Sequence, residues 1–186
     1  SDGDKSGPFH ASVGVLTRAN GEMMPPLIIH SGKRNWESFF VGLPTKSNWM
    51  SGVSENGSMT KLLFGKFCKD FTKALPPEFG VGKLPAILVL DGHSSRWTYE
   101  GLKHLRDRNV WPFCLASHTT KWSQPNDCGV NASLKAAFAK VVGEWRLVNA
   151  GMTMTRVDFN INIKKAFKIF QDKNKKKKNG LTLIER

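Results

Sequence analysis

The sequence predicts an α/β fold in which helices pack on a mixed sheet, and three observations carry that prediction. Ala11 to Thr17 and Leu27 to His30 are apolar, strand-like runs on either side of Ala19-Asn20-Gly21, the pattern of an antiparallel hairpin. Ala86 to Leu90 is a continuous apolar run, followed by a helical stretch and a second short run from Val110 to Leu115. Two long stretches after Gln124 then carry apolar residues at helical spacing.

In the first strand Val13, Val15 and the β-branched Thr17 alternate, and Asn20 and Gly21 tolerate the positive φ of a tight turn. Pro25 and Pro26 precede the returning strand and predict an edge position or a late start. Residues 31–57 read as loop, with Trp36, Phe39, Phe40 and Trp49 covering the core. Ser58 is a candidate cap for a helix to about Leu75, with Leu62, Phe64, Phe67, Phe71 and Leu75 as its buried stripe.

Gly80-Val81-Gly82-Lys83 has the look of a phosphate-binding loop. Leu84 stands where a Ser or Thr must hold magnesium and Pro77 where the first glycine belongs, so a nucleotide triphosphate site is rejected. Ala86 to Leu90 reads as a central strand buried on both faces. A helix is predicted from about Trp97 to Arg108, a second strand over Val110 to Leu115, a long helix from Gln124 to about Val148, and a last one near Val157 to Phe170. Lys173 to Lys178 is a basic run outside the core.

Composition narrows the function. The chain of 186 residues is 40% hydrophobic with six Trp, enough for one domain with a real core. No apolar run approaches the ~20 residues of a bilayer crossing, so no membrane partner is expected. The chain opens Ser1-Asp2-Gly3-Asp4 without a secretory leader, which reads as an internal start. Cys68, Cys114 and Cys128 are odd in number and far apart, against a zinc site or a disulfide framework. The net charge of +13 favours a polyanionic partner, nucleic acid above all. From Lys164 to Arg186, nine basic residues face two acids, a surplus of seven. This makes Lys173, Lys175, Lys176, Lys177 and Lys178 candidate DNA-backbone contacts, the alternative being a solvated tail.

Two carboxylates stand where chemistry could occur. Asp91 ends the apolar strand, at the edge where α/β sheets gather ligands. Asp127 opens a long helix, whose free N–H groups favour an anion. If the strand after Asp91 returns parallel, both could meet at one sheet edge and hold Mg²⁺ through oxygen. Each has a plainer reading: Asp91-Gly92 as a strand-ending turn and Asp127 as a helix cap.

Several pieces resemble DDE superfamily endonucleases of the pogo/Tigger/Jerky type, related to Tc1/mariner transposases. They are Gly21-Glu22-Met23-Met24-Pro25-Pro26-Leu27-Ile28-Ile29, then Leu88-Val89-Leu90-Asp91-Gly92-His93-Ser94-Ser95, then Ser117-His118-Thr119-Thr120 with Gln124-Pro125-Asn126-Asp127, Gly129-Val130 and Leu134-Lys135. They occur in the family's order across most of residues 10–140. The resemblance implies an RNase H-like sheet and Mg²⁺ or Mn²⁺ held by Asp91 and Asp127 as second and third acids. His93, His118 and Gln124 would support the site. It also implies DNA as the partner, cleavage and strand transfer as the reaction, a helix-turn-helix neighbour upstream, a homodimer in a full-length transposase, and a nuclear location in a eukaryotic host. Residues 1–172 would be a partial catalytic domain and residues 173–186 a basic tail.

The pattern is not followed throughout. Arg96 and Lys121 stand where family members often have His, and Asn126 where Leu is usual. The strand bearing the first acid should precede Ser1. Asp2 and Asp4 are the only acids near it, in a Gly/Ser-rich stretch without strand character. The alternatives are a domesticated or decayed relative that binds DNA without cutting, and an unrelated basic α/β domain.

Overall fold

The computed structural model describes residues 9–34, 37–44, 49–91, 93–115 and 129–184, and for residues 175–184 the helical backbone alone. The hairpin forms as expected. Strand β1 (Ala11–Gly14) pairs antiparallel with β2 (Leu27–Ser31), Ala11 opposite His30 and Gly14 opposite Leu27. The turn closes through Gly21, at φ 80°, whose N–H donates to the Arg18 carbonyl at 2.9 Å.

Two expectations for this region are corrected. Met50–Ser54, within the segment read as loop, is a strand, β3, running parallel to β2. That makes β2 the centre of a three-stranded mixed sheet, not an edge. Pro25 and Pro26 lie before β2, where their missing N–H groups cost the ladder nothing.

Helix α1 (Lys61–Ala74) is capped by Thr60, not Ser58: the Thr60 hydroxyl accepts from the Leu63 N–H at 3.2 Å. Phe64, Phe67, Cys68 and Phe71 line its buried face, while Leu62 turns outward. Burial pushes the Cys68 thiol up to about 12, which keeps it protonated.

Strand β4 (Ala86–Leu90), helix α2 (Tyr99–Asp107) and strand β5 (Val110–Cys114) follow the predicted order, and β5 returns parallel to β4. They form a separate two-stranded sheet among the described residues. The expectation that β4 is buried on both faces fails. Leu88 is buried, but Ile87 is 71% and Val89 49% exposed. In register beside them stand Trp111 and Phe113, also exposed. Asn109, at φ 59°, makes the turn into β5, and its amide donates to the carbonyls of Gly80 and Lys83 at 3.2 and 3.1 Å. Gly80 and Gly82, at φ 126° and 70°, thus serve a turn leading into β4.

Helix α3 (Asn131–Val148) and helix α4 (Arg156–Ile184) pack against each other. Helix α4 is longer than the spacing of its apolar residues predicts, because Lys, Gln and Asn continue it without a proline. One buried cluster joins α1 and α2 to both sheets through Met24, Leu27, Ile29, Met50, Phe64, Leu88, Leu105 and Val110. A second joins α3 and α4 to the hairpin through Leu134, Val141, Phe167 and Phe170, with Val13 and Val15 packed on it. The fold is therefore mixed α/β with helices on both faces of the three-stranded sheet. No helix among the described residues is long and apolar enough to cross a membrane.

Helix α4 is clasped to the sheet by a buried polar contact. Asn160 and His30 are fully buried, with His30 Nε2 at 2.9 Å from Asn160 Oδ1. The Asn160 amide donates to the carbonyls of Phe39 and Val41, both at 2.8 Å. Since those carbonyls only accept, Oδ1 is the remaining acceptor and His30 Nε2–H is the donor.

Candidate active site

The carboxyl end of β4 delivers Asp91 to a tight turn. Its Oδ1 accepts from the His93 N–H at 3.2 Å, a short local loop of the kind Asp makes at strand ends. The same Oδ1 lies 2.8 Å from Arg96 Nε, a salt bridge between groups 39% and 24% exposed. The chain reverses because Ser94–Arg96 forms a single helical turn capped by His93. The Ser95 N–H donates to His93 Nδ1 at 3.3 Å, and the Ser95 hydroxyl lies 2.9 Å from that nitrogen. Arg96 Nη1 in turn donates to the Ser95 hydroxyl at 3.2 Å. Asp91, His93, Ser95 and Arg96 are one hydrogen-bonded turn. His93 is exposed and serves it through Nδ1 as an acceptor.

Asp91 and Arg96 line a cavity of about 1200 Å³ between the two sheets. Its walls are the hairpin from Gly14 to Gly21, the β4 segment from Pro85 to Asp91, and Phe64, Phe67 and Phe71 of α1. Leu115, just beyond β5, and Val130, just before α3, line it too.

The remaining expected site residues are placed as follows. His118, Gln124 and Asp127 lie outside the described residues, so Asp91 is the one acid of the expected pair whose surroundings are described. Among the described residues no three His, Cys, Asp or Glu side chains gather closely enough to hold a metal ion. Asp91 does offer the hard oxygen that Mg²⁺ prefers. Lys173 is exposed on α4, and the backbone of Lys175, Lys176, Lys177 and Lys178 continues that helix. Lys164, Lys165 and Lys168 are exposed on the same helix, opposite Ile163, Ala166, Phe167 and Phe170. Among the described residues Lys164, Lys165, Lys168 and Lys173 form no ion pair with a carboxylate. Arg96 is the residue of this turn that spacing alone did not mark: it stood out only as a departure from the family pattern, without sign of its contact with Asp91.

Comparison with known proteins gives one result. Curated proteins and solved structures gave no match. The model of the DDE superfamily endonucleases matches residues 13–176, a span that takes in most of the hairpin, Asp91, Asp127 and most of the basic helix. The chain belongs to the DDE superfamily of endonucleases.

Proposed function

We propose that this domain cleaves and joins DNA phosphodiesters with Mg²⁺ or Mn²⁺ held by Asp91 and Asp127, on an RNase H-like sheet. One observation carries the reading. Asp91 at the end of β4 and Val130 at the start of α3 line a single cavity, and Asp127 is three positions before Val130. Three residues of chain span at most about 11 Å, a distance compatible with the proposed meeting of the two acids. The parallel return of β5 supports the same convergence. When bound, the metal would activate the attacking oxygen and stabilise the leaving one. Asp91 and Asp127 would orient the ions, His93 would hold the turn, and His118 and Gln124 would shape the loop entering α3.

A pair of substitutions tests the site. Mn²⁺ binding, followed by electron paramagnetic resonance on the intact chain, is expected to weaken at least tenfold in Asp91→Asn and equally in Asp127→Asn. Affinity unchanged in either variant removes that residue from the metal site.

The basic helix is proposed as the DNA-backbone contact, with a nuclear location and a homodimer in a full-length transposase as parts of the same reading. Replacing Lys173, Lys175, Lys176, Lys177 and Lys178 by Gln should flatten the plot of log affinity against log salt by up to about 4.5, since each phosphate contact contributes about 0.9. A slope unchanged by the replacement would place the DNA elsewhere.

A second reading has its own support. The Arg96–Asp91 salt bridge gives the carboxylate a protein counter-ion, as suits a transposase-derived module that binds DNA without cutting it.

A further inference from the structure

We propose that Arg96 is a resident counter-cation of Asp91, with which a divalent metal must compete, so that this arginine weakens the metal affinity of the site. The inference rests on Asp91 being a metal ligand, as proposed above.

Arg96 Nε lies 2.8 Å from Asp91 Oδ1, the distance of a charge-assisted hydrogen bond. The same oxygen already accepts the His93 N–H, so two donors share it. The guanidinium is held in place: it is only 24% exposed and its Nη1 is fixed on the Ser95 hydroxyl, which is itself tied to the capping His93. An arginine so tethered is more than a wandering surface charge.

A divalent ion at Asp91 would meet this charge at close range. The metal either takes the carboxylate from Arg96 or shares it against repulsion. Both routes weaken binding, and the first requires Arg96 to swing away. The cavity beside Asp91 is also lined by Arg96, so there is room for that movement. A phosphate group in the cavity would give the released guanidinium a new partner, since Arg binds carboxylate and phosphate with the same fork of donors. DNA and metal would then bind together better than either does alone.

The test is Mn²⁺ titration of the intact 186-residue chain by electron paramagnetic resonance, without DNA, in four forms: unmodified, Arg96→Gln, Asp91→Asn and the double variant. Arg96→Gln is expected to tighten the Asp91-dependent Mn²⁺ site about threefold to tenfold, somewhat above the range of an exposed ion pair because this one is partly buried. Asp91→Asn should abolish the site in both backgrounds. Equal affinity with and without the arginine, at a site that Asp91→Asn still abolishes, overturns the role of Arg96 and leaves Asp91 a ligand. Mn²⁺ binding indifferent to Asp91→Asn overturns the ligand reading itself. If Arg96→Gln does not fold, the unmodified protein answers alone. Saturating Mg²⁺ should shift the Arg96 Nε–H signal in nitrogen-edited NMR, and a signal that does not move overturns the competition.

Discussion

On the proposed reaction, Asp91→Asn is expected to slow Mg²⁺-dependent nicking of supercoiled DNA about 1000-fold. The substitution keeps the shape of the side chain and removes its charge. A metal acting as Lewis acid supplies several kcal/mol of transition-state stabilisation, and each 1.36 kcal/mol is a factor of ten in rate. Losing one of its charged ligands forfeits most of that. The fold should hardly notice. Asp91 is 39% exposed and its partner Arg96 24%, and ion pairs open to water contribute about 1 kcal/mol or less. The asparagine can still accept the His93 N–H that shapes the turn. Rate and stability should therefore separate: single-turnover nicking collapses while the thermal midpoint by circular dichroism moves by a few degrees at most. Nicking at the original rate in a folded Asp91→Asn protein would take Asp91 out of the reaction.

What could be read from the sequence was what the chain encodes locally. The hairpin is written in the alternation of Val13 and Val15 and in Asn20-Gly21, and β4, α2 and β5 in short runs of one period each. Asp91 was marked because a lone acid at the end of an apolar run is a local signal. Features decided by distant partners were not visible. Met50–Ser54 carries too little β character to announce a strand, and becomes one by pairing with β2, some twenty residues earlier. An apolar run such as Ala86–Leu90 looks buried on both faces whatever lies opposite, and Ile87 and Val89 are exposed because the described residues leave that face open. Arg96 reads as an ordinary turn residue. Only the geometry after β4 brings it onto Asp91.

A buried hydrogen bond between distant parts of the chain was the least legible contact, and it carries the largest expected loss of stability. His30 and Asn160 are 130 positions apart, a lone histidine in a strand and a polar residue in an amphipathic helix. Asn160→Ala is expected to cost about 3–5 kcal/mol. Truncation strands His30 Nε2–H and the Phe39 carbonyl away from water and leaves the part-buried Val41 carbonyl without its donor; each buried group left unpaired costs about 1–3 kcal/mol, with relaxation recovering part of the sum. Water cannot easily fill the space. His30 is ringed by Phe9, Phe39, Phe40 and Phe159 at 5.9 to 6.3 Å between centroids. Gly42, at φ 89°, brings its backbone so close that a Cβ there would stand 3.3 Å from the Asn160 Cβ. Asn160→Asp should be at least as damaging near neutral pH, because it turns a carboxylate oxygen toward two carbonyls that need a donor. For a chain of this size about 2–4 °C of melting temperature accompanies each kcal/mol, so a fall of about 6–20 °C is expected in Asn160→Ala. Lys164→Ala, one turn further along the same helix and exposed, should change it by no more than about 2 °C. A drop in Asn160→Ala no greater than that of Lys164→Ala would mean that apolar packing alone holds α4, and that the clasp contributes nothing to its attachment.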